Sequence, residues 1–200
     1  MSTTTANTIV LVDGQNLYHL AKGIWAPPGR SISSPYTWPS YDVEKLAENI
    51  VSRIPGRSLK QIRFYTGVPR PEQSKFWHGF WSNKLRYLKS VGVYVYTGRI
   101  NPGGQEKGVD VSLATDLIRL TYEKQYEVAI IVSQDWDFGP AAAMALQIAK
   151  DQKRWITLES AFPWQPGCKY SPRGIPGTKW THIDRDTYDA CYDPTDYRFL

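Results

Sequence analysis

Four aspartates and an asparagine fall in three short, well-separated motifs of this 200-residue chain. Asp13 ends the apolar run "TIVLV", with Asn16 three residues on; Asp110 closes "EKGVD"; Asp135 and Asp137 lie in "VSQDWDF". Carboxylates crowded together raise one another's pKa unless a positive charge sits among them. Oxygen donors, with no Cys or His nearby except His19, suit a hard cation such as magnesium or manganese (Mg2+ or Mn2+). Such an ion keeps several waters and lets phosphate oxygens complete its shell, which describes a site for phosphodiester cleavage. Taken alone, Asp13 reads more simply as the cap of the helix entered at Gln15 and Asn16. The other carboxylates must decide between cap and chemistry.

The elements that position these residues follow from hydrophobic periodicity. The run at 9–12, closed by Asp13-Gly14, reads as a strand buried on both faces, as in parallel sheets. A Pro, Gly and Ser-rich surface loop is expected at 24–40, a helix at 42–54 and a strand at 61–67. An aromatic helix at 72–89, a strand at 93–98 and the turn "NPGGQEKG" follow. Next come a helix at 109–123, the apolar strand "VAIIVS", the helix "FGPAAAMALQIAK" and the strand "RWITLE". Alternation of this kind predicts an α/β fold with a parallel, doubly wound sheet, whose ligands bind at the carboxyl ends of the strands. All three acidic motifs belong to that edge. On the 109–123 helix, Asp110 projects inside the apolar arc, an inward position that needs compensating charge.

From 160 onward periodicity fades, so residues 161–200 read as a C-terminal extension packed on a domain of residues 7–160. No membrane-spanning run occurs, and "MSTTTAN" lacks the basic and apolar parts of a signal peptide, which implies a cytoplasmic protein. Cys168 and Cys191 form no metal-type pair and read as free thiols. Net charge is +5, and ten basic residues between Arg53 and Arg99 face one acid, Glu72. Aromatics interleave with those charges in "KFWHGFWSNKLRYLKS". A groove for single-stranded nucleic acid looks like this, and so does a solvated helix whose Phe76, Phe80 and Tyr87 belong to the core. The motifs exclude rival α/β chemistries. No GxGxxG follows the first strand, no P-loop or GxSxG elbow occurs, and Gln15 stands where an aspartyl-phosphate enzyme wants its second acid.

Taken together and in order, "VDGQNL", "KGVDVSLATDLI" and "VSQDWDF" resemble the signature segments of NYN domains. These belong to the PIN-like nuclease superfamily, which includes the LabA-like bacterial proteins. The resemblance spans about residues 7–160 and implies a PIN-like fold with a mostly parallel sheet flanked by helices. It also implies metal-dependent RNA cleavage, with Asp13, Asp110 and Asp135 as catalytic and metal-binding positions. Asn16, Asp137 and Asp116 are the supporting ones. By helical geometry Asp116 lies about 120° around from Asp110, at the site's edge or on the surface. Arg70, Arg99, Lys107 and Trp136 are the substrate-binding candidates. Lys107 is a phosphate contact or the exposed side chain of a turn. Trp136 offers either a stacking face to a base or a buried anchor for the next helix, and its apolar bulk favours the anchor. Small residues usually stand where this chain has Gln134 and Trp136, and bulk there would narrow the crevice. The expected function is a metal-dependent endoribonuclease, its partner RNA. A weak or inactive RNA-binding regulator and the toxin of a toxin-antitoxin pair are the alternatives, and a homodimer or protein partner stays open.

Overall fold

Strand β1 (Ala6–Asp13) places Val10 and Val12 in one core and Ile9 and Leu11 in the other, the period-two alternation of a strand covered on both faces. The computed structural model describes residues 5–27 and 34–197. Among these, β1 is the central strand of a seven-stranded sheet. Its order is β4 (Glu106–Lys107), β3 (Tyr94–Ile100), β2 (Arg57–Val68), β1, β5 (Val128–Val132), β6 (Thr157–Pro163), β7 (Lys179–Ile183). Every neighbouring pair is parallel except the β3–β4 hairpin. One core packs under α1 (Gly14–Trp25), α2 (Val43–Ser52), α3 (Lys75–Ser90) and α6 (Arg185–Ala190). The other packs under α4 (Val109–Tyr122) and α5 (Gly139–Asp151). The expected α/β class is therefore the observed one.

From β1 the chain winds outward through β2, β3 and β4, then crosses to β5 on the other flank of β1. The β1–β5 boundary is thus the topological switch point, where the carboxyl ends of an open sheet leave a crevice. Asp13 closes β1 there, and the turn carrying Asp135 leaves β5 beside it.

Three elements depart from the sequence expectation. The "NPGGQEKG" turn contains β4, too short for periodicity to register, with Arg99 opposite Lys107 and Ile100 opposite Glu106. Strand β6 runs on to Pro163 because Ser160, though polar, is buried with its hydroxyl donating to the Ser133 carbonyl at 2.7 Å. Beyond 160, β7 adds a seventh strand, and Tyr188, Cys191 and Tyr197 enter the core. The loop expected at 24–40 lies partly outside the described residues; of its described part, Tyr36 and Ser40 are buried.

The aromatic helix buries a different stripe from the one expected. Phe80 is in the core, but Phe76 and Tyr87 are exposed; the inward stripe is Phe80, Trp81, Lys84, Leu85 and Leu88. Lys84 sits in that stripe because its ammonium donates to the Pro39 and Tyr41 carbonyls at 3.0 and 2.7 Å and to Asp193 at 3.2 Å. Burial pushes its pKa down to about 8, against the pull of Asp193. A charge buried this way is tolerated only when paired and hydrogen-bonded.

Candidate active site

At Asp13, cap and crevice coincide. Its Oδ1 accepts the Asn16 backbone N–H at 3.0 Å, capping α1, while Oδ2 accepts the Ser133 hydroxyl at 3.2 Å across the switch point. The residue is 4% exposed. Burial, with Asp110 and Asp135 nearby, pushes its carboxyl up to about 7 despite those two hydrogen bonds. Asn16 closes the clamp, its Oδ1 accepting the Gln134 N–H at 3.0 Å. The β5–α5 turn is fixed in turn by the Asp135 N–H donating to Ser133 Oγ at 3.1 Å and the Asp137 N–H donating to Asp135 Oδ1 at 3.0 Å.

Asp110 stands in the first turn of α4, whose amino end is set by Gly108 in the left-handed region at φ 83°. It is exposed at the mouth of the crevice, not inside the apolar arc, because that arc is carried by Val109, Leu113, Leu117 and Leu120. Partial burial and the charges of Asp135 and Asp137 still hold its carboxyl above the ordinary range.

Sequence reasoning missed Glu106. On β4, its carboxylate accepts the Gly67 backbone N–H and a hydrogen bond from Gln15, and it faces Asp13 and Asp110. Burial and those two charges push it up to about 7. The signal was present in "EKGVD", but a carboxylate in a Gly-rich turn reads as solvent-exposed until the hairpin folds it back. Gly67 permits the approach, since a Cβ there would lie 2.6 Å from Glu106 Oε1.

Asp116 is neither at the site's edge nor on the surface. It is buried beneath α4, accepting Arg63 Nη2 and the Tyr65 hydroxyl, both at 2.7 Å, with Arg119 at 3.1 Å. Its carboxyl is lowered because those hydrogen bonds together outweigh burial, the largest single influence and one that raises it. The turn of about 120° from Asp110 points Asp116 towards β2, where Arg63 and Tyr65 receive it. Trp136 is likewise not a buried anchor. It is 53% exposed, and Phe138, two residues on, fills the core instead. Gln134 turns away from the acids, its amide donating to the Ser171 and Arg173 carbonyls of the C-terminal segment.

The basic stretch divides between folding and surface. Arg57 pairs with Glu159, Arg63 with Asp116 and Lys84 with Asp193, while Arg53 donates to the His182 carbonyl and Thr187. Arg86 and Lys89 lie in the half of α3 that returns to the amino edge of the sheet. Left exposed at the carboxyl edge are Arg70, just past β2, Lys75 opening α3, Arg99 on β3 and Lys107 on β4.

Among the described residues, Asp13, Glu106, Asp110, Asp135 and Asp137 form no ion pair, unlike Asp116, Glu159 and Asp193. Nor do any three carboxylate, imidazole or thiolate groups among those residues stand close enough to form a ready-made metal ligand set. The donors fit a hard cation that keeps much of its water, since such an ion is often bound through one or two carboxylates plus phosphate oxygens. No helix among the described residues is long and apolar enough to cross a membrane.

No curated protein matches the chain. A solved structure of a protein of unknown function from Vibrio parahaemolyticus aligns over 93% of this chain and 98% of its own, with a TM-score of 0.58 and 17% identity. At that identity it supports the fold alone. The NYN domain profile matches residues 7–157, a span that holds all five carboxylates at the switch-point crevice. On that match and the sheet that carries it, the chain belongs to the NYN domain family of the PIN-like nuclease superfamily.

Proposed function

We propose that the protein is a divalent-metal-dependent endoribonuclease working at the β1–β5 crevice. One observation carries the reading: carboxylates from β1, α4 and the β5–α5 turn face one another at the switch point with no side-chain cation paired to them among the described residues. Clustered negative charge of that kind is stabilised when a cation joins it.

Asp13, Asp110 and Asp135 would share Mg2+ or Mn2+, one or two of them directly and the rest through its waters, with phosphate oxygens completing the shell. When bound, the ion supplies a water of lowered pKa and positive charge for the phosphate. The chain's own residues do the rest. Asp13 gives up its proton as the site is loaded, because its carboxyl is held near neutrality by burial. Asn16 fixes the β5–α5 turn against α1 and so sets the distance between Asp13 and Asp135. Asp137 is exposed beside Asp135 and orients the attacking water. Arg70, Arg99 and Lys107 hold the RNA backbone along the β2–β3–β4 edge.

A second reading, RNA binding without cleavage, draws on the lack of a ready-made ligand trio among the described residues. Incubating labelled RNA with the protein in manganese, in EDTA, and with Asp13→Asn distinguishes the two. Cutting that requires both manganese and Asp13 supports the nuclease; RNA bound but intact, with folded protein, supports the binder.

A further inference from the structure

Eight tryptophans occur in the chain, and six are engaged. Trp25, Trp164 and Trp180 donate hydrogen bonds, and Trp38, Trp77 and Trp81 lie in ring contacts. Trp136 and Trp155 make neither kind of contact with any described residue. Trp155, 97% exposed, is in the turn between α5 and β6, at the amino edge away from the crevice. Trp136 lies between Asp135 and Asp137, on the turn that borders the crevice.

Its presentation is fixed although its ring is free. Asn16 clamps Gln134, two residues before it, Asp135 caps the short 3-10 turn Trp136–Phe138, and Phe138 at the end of that turn is buried. An indole held on such a turn with half its surface in water leaves apolar area that a flat partner would cover. Two features say which partner. Asp137, the neighbour outside the proposed ligand set, repels phosphate beside the ring, so a polynucleotide presents a base to the ring while its phosphate goes to the carboxylates that would hold the cation. Arg70, Arg99 and Lys107 offer the backbone a path on one flank, and exposed Arg173, tied to the site through Gln134, lies on the other.

We propose that Trp136 is a stacking platform for an unpaired base of the RNA strand beside the phosphodiester held at the carboxylates. This rests on the ribonuclease reading and narrows it. A base in continuous duplex has both faces covered by its neighbours, so only a nucleotide in a single strand or loop can stack on the indole. The site therefore selects unpaired RNA.

The test is fluorescence anisotropy in EDTA with a labelled unpaired RNA oligonucleotide, the same strand annealed to its complement, the same strand with abasic sugars, and its DNA counterpart. Wild type, Trp136→Ala, Trp136→Phe and Trp155→Ala are compared. Base stacking predicts that Trp136→Ala weakens unpaired RNA roughly 5- to 100-fold. Trp136→Phe should retain most of the affinity, Trp155→Ala all of it, and duplex and abasic strands should be indifferent to residue 136. Unpaired DNA should lose the same factor, since every base has a face to stack. Equal loss for duplex or abasic strands, or no loss for unpaired RNA, overturns the platform. Cleavage run in parallel with manganese separates the two ideas. Cutting without dependence on Trp136 overturns the platform alone, stacking without cutting overturns the nuclease alone, and no binding to any strand overturns both.

Discussion

Asp13 is buried where it closes β1, and the proposed cation site needs it ionised; these demands oppose each other. In the metal-free protein its pKa rises from 3.8 to about 7, so between those values the folded chain holds a proton that the unfolded chain has lost. The stability from this group is full below the unfolded value and is lost as pH climbs through 7. Asp13→Asn removes the penalty of the buried charge. In EDTA the variant should match wild type near pH 4 and exceed it above pH 7, by an amount on the order of a few kcal/mol at most. Manganese should then raise the melting temperature of wild type and not of the variant, because an ion that binds only the folded state stabilises it by mass action. Melting curves across pH, with EDTA or manganese, check both statements. A variant less stable than wild type at every pH would mean that the cap, not the charge, dominates at this position.

At the scale of elements, the β3–β4 hairpin decides whether Glu106 reaches the crevice. Gly67 on β2 leaves room for it, since a Cβ there would meet Glu106 Oε1 at 2.6 Å, Ile100 Cδ1 at 2.7 Å and Glu106 Cγ at 2.8 Å. Gly67→Ala should cost about 1–3 kcal/mol by overpacking. Glu106→Ala removes two of those contacts, so the double variant should be less destabilised than the sum of the singles. Strict additivity in denaturant unfolding would show that Ile100, and not Glu106, limits this position. The same hairpin marks where sequence reading stopped. Strands β1 and β5 and helix α4 were legible because their apolar patterns are long, and with them came Asp13, Asp110 and Asp135 as residues of one edge. Strand β4 has two residues and no pattern, and Glu106 went with it. Asp116 and Trp136 were misplaced for a related reason. Helical angle and apolar bulk describe a side chain's own preference, whereas Arg63 and Phe138, partners from elsewhere in the chain, decided where each one went.

For the whole molecule, charge is the quantity that folding rearranges most. The sequence shows ten basic residues at 53–99 and suggests one polyanion-binding stretch. Folding commits Arg53, Arg57, Arg63 and Lys84 to internal partners, three of them carboxylates, and carries Arg86 and Lys89 to the edge away from the crevice. Part of that division depends on the segment after residue 160, which supplies Asp193, His182 and Thr187 as partners and completes the sheet with β7. What remains at the crevice is Arg70, Lys75, Arg99 and Lys107, with Arg173 beyond Gln134. Single-stranded nucleic acid loses affinity with a log-log salt slope of about −0.7 per neutralised phosphate. Engagement of all ten basic residues would give roughly −7, whereas the exposed crevice set gives about −2 to −4. Titrating unpaired RNA in EDTA at several salt concentrations reads the slope directly. Arg99→Gln should flatten it by about 0.7, and Lys60→Gln, on the amino half of β2, should leave it unchanged. A slope near −7, or sensitivity to Lys60 equal to that of Arg99, would place the RNA on the face of the basic stretch and away from the carboxylates.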